Sequence, residues 1–156
     1  MRQKKLELFM MFFATVLSFA VAPSASTAAP VLATTDGEQP GVRAEVTELK
    51  RNAEGIVNLK FVMINDSDKN IDLYKEDFGS WGTVSGVTLV DEKNKKKYFV
   101  VLDSEHKCLC SSGLKNLSPK SRVNLWAKFP APPEDVQKIG VVIPHFQPMD
   151  DVPISH

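Results

Sequence analysis

Residues 121–129 read SRVNLWAKF. Val123, Leu125, Ala127 and Phe129 fall on one phase of a two-residue period, and Asn124, Trp126 and Lys128 fall on the other. Successive side chains of a strand point to opposite faces, so this stretch predicts a strand with one face in a core and one in water. The same period recurs along the chain. IVNLKFVMI (56–64) sets Val57, Leu59, Phe61 and Met63 against Asn58, Lys60, Val62 and Ile64. VRAEVTEL (42–49) alternates through Val42, Ala44 and Val46, and KIGVVIP (138–144) through Ile139, Val141 and Ile143. VSGVTLVD (84–91) and KYFVVLD (97–103) flank the polar EKNKKK (92–97), which predicts a hairpin.

No stretch beyond residue 28 sustains a helical period, and β-branched or aromatic runs return roughly every 10 to 15 residues. The pattern predicts an all-β, immunoglobulin-like antiparallel two-sheet β-sandwich. Leu59, Phe61, Val100, Leu125, Ala127, Val141 and Ile143 are expected to face inward. FPAPPED (129–135) reads as a rigid loop, because its prolines fix the chain and remove ladder donors. DVQK (135–138) reads as a single helical turn.

The N-terminus has the layout of an export signal. Arg2, Lys4 and Lys5 precede an apolar run from Leu8 to Ala22, and PSASTAAP follows. That order of charge, apolar run and small residues marks a secretory signal peptide, here 1–28 with cleavage after Ala28. The run is shorter than the about 20 residues a membrane-spanning helix needs. The first cysteine is Cys108, so no lipid anchor is expected at the cleavage site, and no membrane attachment once the signal is removed. Residues 29–41, APVLATTDGEQPG, lack periodicity and read as a flexible leader, which leaves 42–154 as the sandwich domain. Asp150 and Asp151 read as part of a solvated tail.

The chain holds 19 bases and 19 acids; removing Arg2, Lys4, Lys5 and Glu7 with the signal leaves 16 and 18. A slightly acidic export product gives no electrostatic case for nucleic acid. There is no G-x-S-x-G, no H-E-x-x-H and no glycine-rich phosphate loop, so neither an enzyme nor a cofactor is expected.

Chemistry concentrates in LDSEHKCLCSSG (102–113), which contains both cysteines, Cys108 and Cys110, and His106. On a regular strand residues two apart share a face, but their Cβ atoms lie about 6.5 to 7 Å apart, beyond the about 3.5 to 4.5 Å of a disulfide. A bridge therefore needs a bend near Leu109, while an oxidising compartment favours one. Four readings stay open: a local disulfide, two buried thiols, a Cu(I) or Zn(II) site of His106, Cys108 and Cys110, and a redox-active dithiol. The remaining candidates are surface loops. Lys93, Lys95, Lys96 and Lys97 cluster at the hairpin tip, either against an anionic envelope polymer or as a guard on an edge strand. FGSWGTVSG (78–86) offers Phe78 and Trp81 as a binding loop, with Trp81 as a plug for the sandwich end the alternative. Asn65-Asp66-Ser67 matches a glycosylation sequon.

The run NDS (65–67), GVTLVDEKNKKKYFVVLDSEHKCLCS (86–111), FPAPPEDV (129–136) and DVPI (151–154) resembles secreted or lipid-anchored immunoglobulin-like domains of Gram-positive, chiefly actinobacterial, bacteria. The C-L-C-S, P-A-P-P and D-V-P-I elements carry the resemblance across nearly all of the mature chain. It implies an extracytoplasmic sandwich and supplies no catalytic residues, since the family has no settled activity. Together these features lead to the expectation of an exported, non-enzymatic binding or interaction module, its partner an unknown protein or cell-envelope polymer. The alternative is a metal-handling or thiol-redox protein built on His106, Cys108 and Cys110.

Overall fold

The structure, a computed structural model, describes residues 30–74, 78–79 and 82–156. Residues 1–28, where a signal peptide is expected, and Trp81 lie outside the described residues. Among the described residues ten strands follow one another: β1 (Ala33–Asp36), β2 (Val42–Arg51), β3 (Ile56–Asn65), β4 (Ile71–Asp72), β5 (Thr88–Asp91), β6 (Lys96–Phe99), β7 (Asn116–Leu117), β8 (Ser121–Pro130), β9 (Lys138–Val142) and β10 (Met149–Pro153). One sheet has the order β1-β2-β3-β8, the other β10-β9-β5-β6, and β4-β7 makes a small ribbon. Every pairing between these strands is antiparallel.

The chain leaves the first sheet after β3, makes the β5–β6 hairpin in the second, returns for β8, and crosses again to β9 and β10. This is a Greek-key path in which β2-β3-β8 faces β10-β9-β5-β6, the arrangement of an immunoglobulin-like sandwich. β3 and β8 stay in register over their full length, from Ile56↔Pro130 to Asn65↔Ser121. The two clean alternations are thereby laid side by side, their apolar phases on one face. Leu59, Phe61, Val100, Leu125, Ala127, Val141 and Ile143 are all buried, at 0 to 7% exposure. Each buried Leu, Val or Phe contributes about 1.5 to 3 kcal/mol of transfer free energy, so this shared face is the main stabilising term.

Three expectations are corrected. Within the expected leader 29–41 the chain is not loose throughout: Ala33–Asp36 form β1, paired to β2 from Ala33↔Val46 to Asp36↔Arg43. The edge of β2 offers unpaired backbone groups, and Thr35, 7% exposed, donates from Oγ1 to the Gln147 carbonyl at 2.7 Å. The tail is likewise a strand, with Met149, Val152 and Ile154 buried and Asp150 and Asp151 exposed at an irregularity in the β9–β10 register. Residues 135–138 make no helical turn; Val136 N–H donates to the Pro133 carbonyl at 3.0 Å and β9 begins at Lys138. Asn65 of the sequon is fully buried. Its amide donates to the carbonyls of Lys69, Leu117 and Ser118, and its Oδ1 accepts from Ser67, so it ties the end of β3 to β7.

The proline loop is pinned from the core side. Arg51, opposite Val57 on β2, sends its guanidinium to the carbonyls of Pro132, Pro133 and Val136. Carbonyls that prolines cannot help to pair within a ladder thus find a fork of donors.

Candidate functional site: the disulfide hairpin and its groove

After β6 the chain moves across to the edge of β8. Val101 N–H donates to the Lys128 carbonyl at 2.8 Å, which places the next residues beside the first sheet. There it makes a tight hairpin. Asp103 N–H donates to the Lys107 carbonyl, and the Asp103 carboxylate accepts from the N–H groups of Glu105 (2.8 Å) and Lys107 (2.9 Å). The Lys107 amide chiefly, helped by that of Glu105, holds this carboxyl below its usual range. His106 turns the chain with a φ of 62°, in the left-handed region. An aspartate that satisfies two amides of its own turn is the reason so polar a stretch adopts one conformation.

On the return side the strand changes partner. Cys108 bridges to Leu102 within the hairpin, whereas Cys110 bridges to Ala127 of β8. Between them Leu109 donates to the Val101 carbonyl and accepts from Lys128 N–H. At this change of partner the chain shortens. The two Cα atoms stand 5.3 Å apart, below the about 6.4 to 6.8 Å of a regular strand, and the sulfurs are joined as a disulfide. The bridge clamps the residue at which the strand passes from hairpin to sheet. Ser111 continues on β8: its N–H donates to the Trp126 carbonyl and its Oγ accepts from Trp126 N–H.

In this structure the two sulfurs are bonded to each other, so the set of His106, Cys108 and Cys110 would offer thiolate ligands only once the bridge is reduced. His106 is exposed at the hairpin tip, and among the described residues no group of three or more His, Cys, Asp and Glu could hold a metal ion.

The opposite wall comes from the glycine-rich loop. Phe78 is 3% exposed, not displayed for binding. Its ring meets His145 edge-on at 5.6 Å and Phe146 at 6.2 Å, so Phe78 is the plug at this end of the sandwich. The glycines explain how the loop folds so tightly over it. Gly82 has a φ of 67°, and a Cβ there would stand 2.6 Å from the Leu114 carbonyl oxygen. Gly86 would meet the Phe78 carbonyl oxygen at 2.6 Å. Between loop and hairpin runs a groove of about 570 Å³, lined by Thr83, Ser85, Leu102, His106, Lys107 and Cys108 among others. Leu102 stands 53% exposed in it. Sequence reasoning found the cysteines and His106 but passed over Leu102, because it continues the apolar run FVVL and reads as core.

The lysine-rich tip sits in other company. Lys93 pairs with Asp135 of the proline loop, an ion pair that raises the lysine pKa and lowers that of the carboxyl. Asp91, Glu92, Asp150 and Asp151 line the adjoining groove of about 410 Å³. Of the four tip lysines Lys93 is thus set beside acids, while Lys95, Lys96 and Lys97 stand exposed outside that groove.

No family model and no curated protein matches the sequence. Among solved structures the chain is similar to the yjhA protein from Bacillus subtilis, with 16% identity over 72% of this chain and 78% of that one and a TM-score of 0.48. A conserved hypothetical protein from Bacillus anthracis is 19% identical over 72% of this chain and 89% of its own, with a TM-score of 0.40. A functionally unknown protein from Listeria monocytogenes is 12% identical over 80% and 85% respectively, with a TM-score of 0.41.

Proposed function

We propose that the chain is an exported, non-enzymatic interaction module of the cell envelope or extracellular space, which engages a protein or envelope polymer in the groove beside the disulfide hairpin. One observation carries this reading: Leu102, a large apolar side chain, is held 53% exposed in that groove. Both walls are stiff, one clamped by the bridge and by Asp103, the other by glycine-tight packing over Phe78. Ordering a preformed groove costs little on binding, and a central apolar anchor is what partners use. Co-sedimentation of the full chain with isolated cell-envelope fragments tests it. Retention is expected, and Leu102→Asp, an exposed substitution that leaves the core intact, abolishes it. Equal retention of the variant, or turnover of an envelope component, refutes the reading.

One observation favours a second reading, thiol redox or Cu(I) or Zn(II) handling at His106, Cys108 and Cys110. Cys108 itself lines the groove, so a small thiol can reach the bridge. After reduction this reading expects one tightly bound metal ion, or a readily reversible dithiol, and its loss in His106→Ala.

A further inference from the structure

The outward face of β2-β3-β8 is laid out in rows by the strand register. One row is Lys50, Asn58 and Lys128; the next is Glu48, Lys60 and Trp126; beyond them stand Glu45, Val62 and Asn124, then Arg43, Ile64 and Arg122. Val62 and Ile64 share this outward phase yet are covered to 8% and 7% exposure, while Trp126 is left 42% exposed. The face covers its aliphatic side chains and displays its one indole. Beside the ring lies a shallow groove of about 320 Å³, bordered by Glu48, Asn58, Lys60 and Lys128.

The charges of these two rows are lopsided. Lys60 and Lys128 border the groove beside the indole, Lys50 stands farther off at the β2 end of its row, and the one carboxylate, Glu48, is already bonded to Lys60 at 3.0 Å. The mature chain as a whole has more acids than bases, 18 against 16, so this local excess of positive charge does not follow from composition. An exposed indole on a flat sheet offers an apolar plate the size of a sugar ring, whose C–H face is apolar and whose edge carries hydroxyls. Asn58 supplies a donor and an acceptor, and the ammonium groups supply charge-assisted donors for carboxylates.

From this face we infer that the chain binds a linear acidic polysaccharide, a pyranose ring stacked on Trp126 and its carboxylates directed to Lys60 and Lys128. The inference rests on the reading of the chain as an exported binding module but uses a surface separate from the Leu102 groove. Affinity electrophoresis of the full chain through gels containing polygalacturonate, dextran or polyphosphate separates the contributions of ring and charge. Polygalacturonate should retard the protein most strongly. Trp126→Ala should weaken that retardation roughly tenfold or more, and Lys60→Ala with Lys128→Ala by a similar factor. Trp126→Phe should keep part of the binding, and Leu102→Asp all of it. Retardation by polyphosphate equal to that by polygalacturonate and indifferent to Trp126→Ala overturns the proposal in favour of bare electrostatics. Loss of polygalacturonate binding in Leu102→Asp alone moves the polymer to the other groove and overturns it too. So does sedimentation showing a dimer that Trp126→Ala dissociates, for then a second copy covers the face.

Discussion

The hairpins at 91–96 and 103–107 are built alike and are put to different uses. Each opens on an aspartate whose carboxylate accepts hydrogen bonds from the turn, and each passes through a non-glycine residue of positive φ, Lys95 at 54° and His106 at 62°. In the first, Asp91 is only 2% exposed, and the turn joins β5 to β6 within a sheet whose next member is β9. In the second, Asp103 is exposed, and the hairpin has one bridged pair, Leu102↔Cys108, before the chain docks on β8. The same turn chemistry thus closes a sheet in one place and displays a surface in the other. The difference lies in the flanks: Leu89 is buried beneath the first turn, whereas Leu102 beside the second is exposed. The core reaches the second hairpin only at its base, through Cys110 and the half-buried Cys108, and there the covalent bridge adds to it as the element that stiffens the strands.

If that account holds, breaking the first turn costs more than breaking the second. Asp91→Ala removes the buried charged acceptor that both the side chain and the amide of the exposed Asn94 use. A loss of about 1 to 3 kcal/mol in unfolding free energy is expected, read as a lower urea midpoint with unchanged slope. Asp91→Asn, which keeps one oxygen, should lose less. A midpoint unmoved by Asp91→Ala would erase the distinction between the two turns.

The bridge comes next in size. Replacing Cys108 and Cys110 together by Ser opens a loop of only three residues, for which chain entropy gives at most about 1.6 kcal/mol. The fold should survive, with the urea midpoint falling slightly and amide exchange rising at Leu109 and Lys107 while β3 and β8 stay protected. Intact protein should not react with a thiol reagent until reduced. A globally unfolded double variant would mean that the hairpin supports the sandwich rather than projecting from it.

The two turns also differ in how far the sequence discloses them. EKNKKK between two apolar runs announces its hairpin, because the polar cluster breaks a period of two on both sides. DSEHK does not: it holds no glycine and no asparagine, and its turn depends on one carboxylate reaching two amides, which no periodicity records. The sandwich was legible for the same reason as the first hairpin, since β8 alternates over its ten residues and β3 over its first six, from Ile56 to Phe61, before both of its faces turn apolar at Val62 and Ile64. β1 was hidden because Thr34 and Thr35 alternate with nothing apolar enough to signal a buried side. Phe78 was misjudged because its glycine neighbours suggest openness, when their missing Cβ atoms are what lets the loop close on it. Trp126 was on view from the start, in phase with Asn124 and Lys128, but an aromatic in a polar phase becomes informative only once the structure shows that nothing covers it.

The smallest effect belongs to Asp103, and pH probes it together with Asp91. For Asp103 the backbone amides of Lys107 and Glu105 hold the folded carboxyl low. For Asp91 burial, with the nearby Asp135 charge, acts to raise the pKa, but the side-chain and backbone hydrogen bonds of Asn94 together with the Lys93 amide outweigh it and the net shift is downward. A carboxyl whose folded pKa lies below its unfolded one contributes its full stability above the unfolded value and loses it as pH falls through the folded value. Both turns should therefore hold their amide protection at neutral pH and shed it on acidification below the ordinary carboxylate range. The consequences diverge. Protonating Asp103 loosens only its own turn, so exchange rises at Glu105 and Lys107 with the urea midpoint unmoved, and Asp103→Ala should show that behaviour already at neutral pH. Protonating Asp91 reaches into the sheet, so its acid transition should coincide with a fall in the midpoint that Asp91→Ala no longer shows. If the two turns lost protection together at every pH, hairpin and sandwich would be one cooperative unit, and the division between a closing turn and a displaying turn would fail.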